Sequence, residues 1–160
     1  MALLSRDKMQ EICQSLRGEN KSVVFTNGCF DLLHRGHVEL FQQARKLGDC
    51  LVVGLNSDHS VERLKGVGRP LQSAENRALI LDALTAVDYV TIFDEETPLD
   101  LIMALKPDTL VKGADYDQED IVGSEEVHSW GGKVVRIPLV KGEATRDIIR
   151  RAAALGQVKK

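Results

Sequence analysis

The chain has 160 residues, 43% of them hydrophobic and 28% charged, which suits one ordinary domain and excludes a disordered polymer or a fibrous repeat. Lys and Arg number 21 against 24 Asp and Glu, for a net charge of -3 with no block of like charge, and aromatic residues make up only 4%; no nucleic-acid partner is expected. No apolar run reaches membrane-spanning length, and the N-terminal MALLSRDKMQEICQ turns polar too soon for a signal peptide. The three cysteines, Cys13, Cys29 and Cys50, form no CxxC pair, so a cytoplasmic protein without a disulfide framework or membrane partner is expected.

Short apolar runs rich in β-branched residues alternate with segments of helical period, the pattern of a parallel α/β sheet. Residues 4–16 read as an amphipathic helix, followed by a turn at Gly18–Lys21 and a first strand over Ser22–Thr26. The loop NGCFDLLHRG comes next. Val38, Leu40, Phe41, Ala44 and Leu47 then mark the inner face of a helix over His37–Leu47, stopped by Gly48, and a second strand covers Leu51–Leu55. The polar stretch SDHSVERLKGVGRP reads as one helical turn and then a flexible basic loop. Ser73 caps a helix running through Ala86, with Leu79, Ile80, Ala83 and Leu84 expected to face inward.

Tyr89–Phe93 is the third strand, and Thr97-Pro98 starts a helix over 98–105 that Pro107 ends. A fourth strand at Thr109–Lys112 leads into the loop GADYDQED, a short helix near 123–130, a turn at Gly131-Gly132, a fifth strand at Val134–Ile137 and a last helix over 145–155. No repeat, low-complexity tract or linker divides residues 1–160, so the expectation is a single domain: a Rossmann-like, doubly wound five-stranded parallel sheet with right-handed crossovers. Such sheets take ligands at the carboxyl ends of their strands near a topological switch point, which directs attention to the loops after the first, fourth and fifth predicted strands.

After the first strand the sequence runs Thr26-Asn27-Gly28-Cys29-Phe30-Asp31-Leu32-Leu33-His34-Arg35-Gly36-His37. A helix opening at His37 would direct its first-turn amides and the positive end of its dipole into this loop, making an anion site. Gly36 lets a ribose or phosphate approach the backbone closely. His34 and His37, three apart, can present ring N–H groups to the same phosphate oxygens. Two unrelated histidines on the surface or in the core are the bland reading, and a metal site built from Cys29, Asp31, His34 and His37 is a second rival. HxGH at a strand–loop–helix junction favours phosphate chemistry over both. Neither common phosphate loop is present: GxxxxGK[ST] does not occur, and Gly66-Val67-Gly68-Arg69-Pro70-Leu71 breaks GxGxxG at its last position.

The stretch VVFTNGCFDLLHRGHVELFQQARKLGDCLVVGLNSD resembles the HxGH nucleotidyltransferases of the cytidylyltransferase-like superfamily. The likeness continues through KGVGRP, ENRALILDALTAVDYV, PDTLVKGADY and VVRIPLVKGEAT, and so covers nearly the whole chain. The combination FTNGCFD, KGxGRP, LVKGxDY and WGGKVVRIP most resembles the D-glycero-β-D-manno-heptose 1-phosphate adenylyltransferases, which make ADP-heptose for bacterial lipopolysaccharide. With no kinase-sized partner in these 160 residues, the free-standing form of that enzyme is the one expected.

The resemblance implies direct in-line transfer of AMP from ATP to heptose 1-phosphate, with Mg2+ shielding the departing pyrophosphate and no covalent enzyme intermediate. It maps the catalytic histidines onto His34 and His37. Thr26, Asn27, Gly28, Phe30 and Gly36 fall in the loop that approaches the triphosphate through main-chain groups. Lys65 and Arg69, and Arg77 on the following helix, would close on phosphates; solvated surface charge is their bland alternative. Asp31 has the chemistry either to organise magnesium and the sugar phosphate or to make a hydrogen bond at the start of the helix.

Further along, Lys112 would hold the acceptor phosphate beside Gly113, with Asp115 and Tyr116 toward the sugar and Lys141 at the far end of the site. Trp130 and Tyr89 read as packing residues. Related enzymes carry Ser-Thr-Thr at the last helix start, whereas this chain has Ala144-Thr145-Arg146; Thr145 can cap the helix and offer a hydroxyl, and Arg146 would replace a neutral donor by a charged one. A dimer or tetramer is expected from relatives. The alternatives are a cytidylyltransferase acting on glycerol 3-phosphate or a related alcohol phosphate, and a catalytically silent nucleotide-binding regulator on the same scaffold.

Overall fold

In the computed structural model, which describes residues 3–114, 121–138, 140 and 144–156, the β-branched runs become parallel strands of one sheet. These are β1 (Leu3–Leu4), β2 (Val23–Gly28), β3 (Cys50–Asn56), β4 (Tyr89–Phe93), β5 (Thr109–Gly113) and β6 (Lys133–Ile137). All five predicted strands are there, and the doubly wound α/β reading holds. The two-residue β1 adds an edge strand, pairing Leu3 with Val90 and Leu4 with Thr91 where residue 4 had been assigned to a helix.

Strand order is β1-β4-β3-β2-β5-β6. The chain winds outward from β2 through β3 to β4, then returns to β2's other side to lay down β5 and β6. The switch point therefore lies between β2 and β5, where Val24 pairs with Thr109 and Phe25 with Leu110. Adjacent crossovers depart in opposite directions there, leaving a crevice beyond Gly28 and Gly113.

Helices cover both faces, so the central strands are apolar on both sides: every residue of β3 is buried. On one face α2 (Arg35–Arg45) and α4 (Ala74–Asp82) pack Leu40, Phe41, Ala78 and Leu81 against Val24, Leu51, Val53 and Val90. On the other, α1 (Arg6–Gly18), α5 (Leu99–Leu105) and α6 (Ser124–Ser129) bury Met9, Cys13, Leu101, Ile102 and Val127 against Val23, Phe25, Val52 and Leu110. Tyr89 and Trp130 pack against this second core, and Trp130 Nε1 donates to the Pro107 carbonyl at 3.0 Å.

Carboxylates secure the opposite end of the sheet. Asp108 accepts from Val23 N at 2.7 Å, Asp88 from Leu51 N at 2.7 Å and Asp49 from Ser22 N at 2.8 Å. Each satisfies an amide at a strand start, where the ladder supplies no partner. These three acidic side chains thus lie at the end of the sheet away from the crevice.

Two expectations need correction. The segment after β3 is not mostly loop: Ser57 accepts from Ser60 N at 3.0 Å and caps α3 (Asp58–Lys65), two turns that end only where Gly66 adopts φ 93°. Helix α4 also presents a different face from the one read from its apolar run. It buries Arg77, Ala78 and Leu81, while Leu79 and Ile80 are exposed, Ala83 lies just past the helix end and only Leu84 packs inward. With apolar side chains all round, the run LIL carries almost no phase information. Helix α7 (Thr145–Leu155) is the last element among the described residues.

Candidate active site

The two histidines stand where β2 has ended and α2 begins. His34 is the N-cap residue of α2, extended at φ -141° and ψ 171°, so the helix starts two residues earlier than its pattern suggested. Its carbonyl accepts from His37 N at 3.0 Å and Val38 N at 3.2 Å, and its side chain makes no capping bond. The amides at this helix mouth, the positive end of its dipole, face the loop, and no acidic residue occupies the first turn. Gly36, buried in the turn, places no side chain over them.

The rings of His34 and His37 stack, centroids 3.7 Å apart and planes 26° from parallel. Phe30 meets His37 edge-on at 5.1 Å and packs on Phe41 at 4.9 Å, so the imidazole pair is braced from the core side. His37 Nδ1 is buried without a hydrogen-bond partner among the described residues. Burial, reinforced by the neighbouring His34, pushes the His37 pKa down to about 4. His37 is therefore neutral at pH 7 and presents a ring N–H dipole rather than a full charge.

Adjacent parts of the crevice supply the other predicted groups. Lys112, at the end of β5, donates from Nζ to Asn27 Oδ1 at the end of β2, which the strand register sets side by side. Thr145 Oγ1 donates to the Leu32 carbonyl at 3.4 Å, which places the N-terminus of α7 against the histidine loop. The N-cap of α7 is Ala144, without a side-chain cap; Thr145 is the first helical residue, so the capping role expected of its hydroxyl is not taken. Arg146 is exposed on that helix. Lys65, exposed in the last turn of α3, together with Arg77 and Arg69, lowers the Cys29 thiol electrostatically, though burial outweighs them and leaves its pKa raised. All three cations thus bear on the same loop.

Several predicted residues also serve the scaffold. Thr26 Oγ1 is buried and donates to the Val111 carbonyl at 3.0 Å, tying β2 to β5. Gly28 ends β2 where a Cβ would lie 3.0 Å from the Phe30 ring, so its lack of a side chain serves the ring packing as much as ligand approach. Gly113 is buried and pairs with Ile137.

Asp31 was expected to meet magnesium or the sugar phosphate. Its carboxylate is 1% exposed and already accepts from Arg69 Nε at 2.8 Å, Leu71 N at 2.8 Å and Gln72 N at 3.0 Å. Burial raises its pKa, but these hydrogen bonds and the Arg69 charge prevail and hold it below the usual value. Arg77, also expected at the sugar phosphate, is fully enclosed. It bonds the carbonyls of Cys29 at 2.7 Å, Asn56 at 2.8 Å and Gln72 at 3.0 Å, and Asp58 at 2.6 Å.

Asp115, Tyr116 and Lys141 lie outside the described residues. Among the described residues no three of His, Cys, Asp and Glu converge as metal ligands, so the Cys29–Asp31–His34–His37 cluster is not formed. No helix among the described residues is long and apolar enough to cross a membrane. A cleft of about 900 Å³ bordered by Arg6, Arg63, Asp94 and Glu95 lies elsewhere, its charges paired as Arg6–Glu95 and Arg63–Asp94.

Residues 25–150 match the sequence profile of the cytidylyltransferase-like family. The chain belongs to that family. Its histidine pair at the switch point thus sits on a nucleotidyltransferase scaffold.

Among curated relatives, the protein named bifunctional protein HldE from Syntrophotalea carbinolica is 56% identical over 146 residues, which is 91% of this chain and 30% of that protein. The HldE protein of Wolinella succinogenes is 52% identical over 149 residues, 93% of this chain and 31% of that protein. The chain therefore spans about a third of the length of these bifunctional relatives. A lipopolysaccharide core biosynthesis protein from Thermoplasma volcanium superposes with a TM-score of 0.63 at 25% identity, over 77% of this chain and 99% of that one. Pantothenate synthetase from Thermus thermophilus reaches a TM-score of 0.64 at 19% identity, over 92% and 67% respectively, and shares the fold.

Proposed function

We propose that this chain transfers AMP from ATP to D-glycero-β-D-manno-heptose 1-phosphate, releasing pyrophosphate and giving ADP-heptose for lipopolysaccharide core synthesis. The observation that carries the reading is the stacked His34–His37 pair at the amide-lined mouth of α2, on the switch point of the sheet. Support for the heptose substrate comes from the FTNGCFD, KGxGRP, LVKGxDY and WGGKVVRIP motifs together with the likeness to the HldE proteins.

In this reading an oxygen of the acceptor phosphate attacks the α-phosphorus of ATP in line, forming a new P–O bond as the bond to the bridging oxygen breaks. The electron pair leaves with pyrophosphate, and no proton is abstracted from an ionised acceptor phosphate. His34 and His37 donate ring N–H groups to oxygens whose charge grows in the transition state, and neutral His37 does so without first gaining a proton. The α2 amides and Lys65 receive the negative charge of the triphosphate. Lys112 positions the acceptor phosphate next to Asn27. Magnesium belongs to this scheme as part of the MgATP substrate, with no protein ligand assigned.

Pyrophosphate release measured with each nucleoside triphosphate against a panel of sugar and polyol phosphates tests the proposal. ATP with heptose 1-phosphate is expected to exceed every other pair. A preference for CTP with glycerol 3-phosphate would replace it with the cytidylyltransferase reading. Tight ATP binding without product for any acceptor would make the chain a nucleotide-binding regulator.

A further inference from the structure

Arg77 has an unusual setting for its charge. It sits in α4, 1% exposed, and reaches four chain segments: the histidine loop, the end of β3, the end of the basic loop and α3. Buried cations are ordinarily neutralised by carboxylates, yet three of the four acceptors here are backbone carbonyls, and Asp58 meets only the outer end of the guanidinium. Such a group fixes the directions of peptide planes as well as holding segments together.

One of those planes matters for the site. The Cys29–Phe30 peptide is trans, so its N–H points opposite to its carbonyl. Because the Cys29 carbonyl is drawn onto buried Arg77, the Phe30 N–H is turned away from the guanidinium, and among the described residues it meets no acceptor. Phe30 itself holds φ 44°, a left-handed conformation that a bulky residue adopts only when its surroundings impose it. The same residue braces His37.

We propose that Arg77 is a positioning residue that sets the Cys29–Phe30 peptide so that the Phe30 N–H donates to a phosphate of the nucleotide, while Phe30's ring is held against His37. This rests on the nucleotidyltransferase reading above and adds a residue that touches neither substrate. Lysine would keep the charge but lacks the planar fork needed to meet four acceptors at once, so Arg77→Lys isolates geometry from charge. Asp58→Asn removes the balancing carboxylate and leaves the three carbonyl contacts in place.

The experiment uses the full chain, with kcat and KM from pyrophosphate release and the Phe30 amide followed by NMR as ATP is added without acceptor. Wild type is expected to shift its Phe30 amide on binding ATP. Arg77→Lys is expected to lose at least tenfold in kcat with the acceptor KM within threefold, and to lose the Phe30 response; Asp58→Asn is expected to stay within threefold in kcat and keep the response. Wild-type kcat in Arg77→Lys, or equal losses in both variants that track their folded fractions, would overturn the positioning role. Should Arg77→Lys fail to fold, a wild-type Phe30 amide silent to ATP in an enzyme that turns over still overturns it. A wild-type chain that neither binds ATP nor releases pyrophosphate overturns the functional reading as well.

Discussion

The imidazoles of His34 and His37 stack at 3.7 Å between centroids, close enough that protonating one disfavours protonating the other. Burial first, and then the neighbouring His34, lower the His37 pKa to about 4. His37 is therefore neutral near pH 7 and can donate a ring N–H without first gaining a proton.

That depressed pKa has a consequence for stability. Between its folded value near 4 and the ordinary 6.5, His37 binds more protons unfolded than folded, so stability is full above 6.5 and declines as pH falls through that window. The loss is at most about 3 kcal/mol, from 1.36 kcal/mol per pKa unit. Urea denaturation at pH 7 and pH 4.5 is expected to show a smaller difference for His37→Gln than for wild type. Equal differences would place His37 in a more solvated setting.

Asp31 clamps the basic loop to the histidine loop, and its own depressed pKa makes the clamp acid-labile below the usual carboxylate range. Asp31→Asn leaves Arg69 without its anion and is expected to cost about 3 to 5 kcal/mol, the range for breaking a buried ion pair. Trypsin cleavage after Lys65 should accelerate accordingly. A variant with wild-type stability and cleavage rate would show that the loop is held by other contacts.

Lys112→Met removes the cation at the end of β5 but retains most of its length. Losing a charge-assisted hydrogen bond of about 1.5 to 3 kcal/mol predicts a drop of roughly 10- to 100-fold in kcat/KM for the acceptor phosphate. The dissociation constant for ATP alone should move much less. A loss confined to ATP binding would put Lys112 on the nucleotide side of the crevice.

The N-terminus of α7 lacks a side-chain cap at Ala144. Ala144→Ser is expected to stabilise the protein by about 0.5 to 2 kcal/mol through a hydrogen bond to a first-turn amide. Thermal unfolding reads this directly, and no upward shift would mean that the extended backbone at Ala144 does not let a serine reach back.

Local pattern carried most of the architecture. Five strands and the switch point follow from β-branched runs set between helical segments, and the histidine pair was legible because its parts lie within four residues of each other. Asp31 and Arg77 were not, because their roles depend on partners far along the chain: Leu71 and Gln72 lie 40 and 41 residues from Asp31, and Cys29 lies 48 from Arg77. A carboxylate beside a histidine motif and an arginine near a basic loop read as ligand groups until tertiary contacts show each already occupied. The face of α4 was misread for a simpler reason, since a run of leucine and isoleucine is apolar in every direction. At two residues, β1 is too short to show any period.

The most direct measurement is kcat for pyrophosphate release by His34→Ala and His37→Ala at saturating ATP and heptose 1-phosphate, with the fold checked by circular dichroism. Each lost donor of about 3 to 4 kcal/mol corresponds to a fall of about 10² to 10³. The expected result is that loss in both folded variants. Wild-type turnover in both would contradict a transition state held between the two rings.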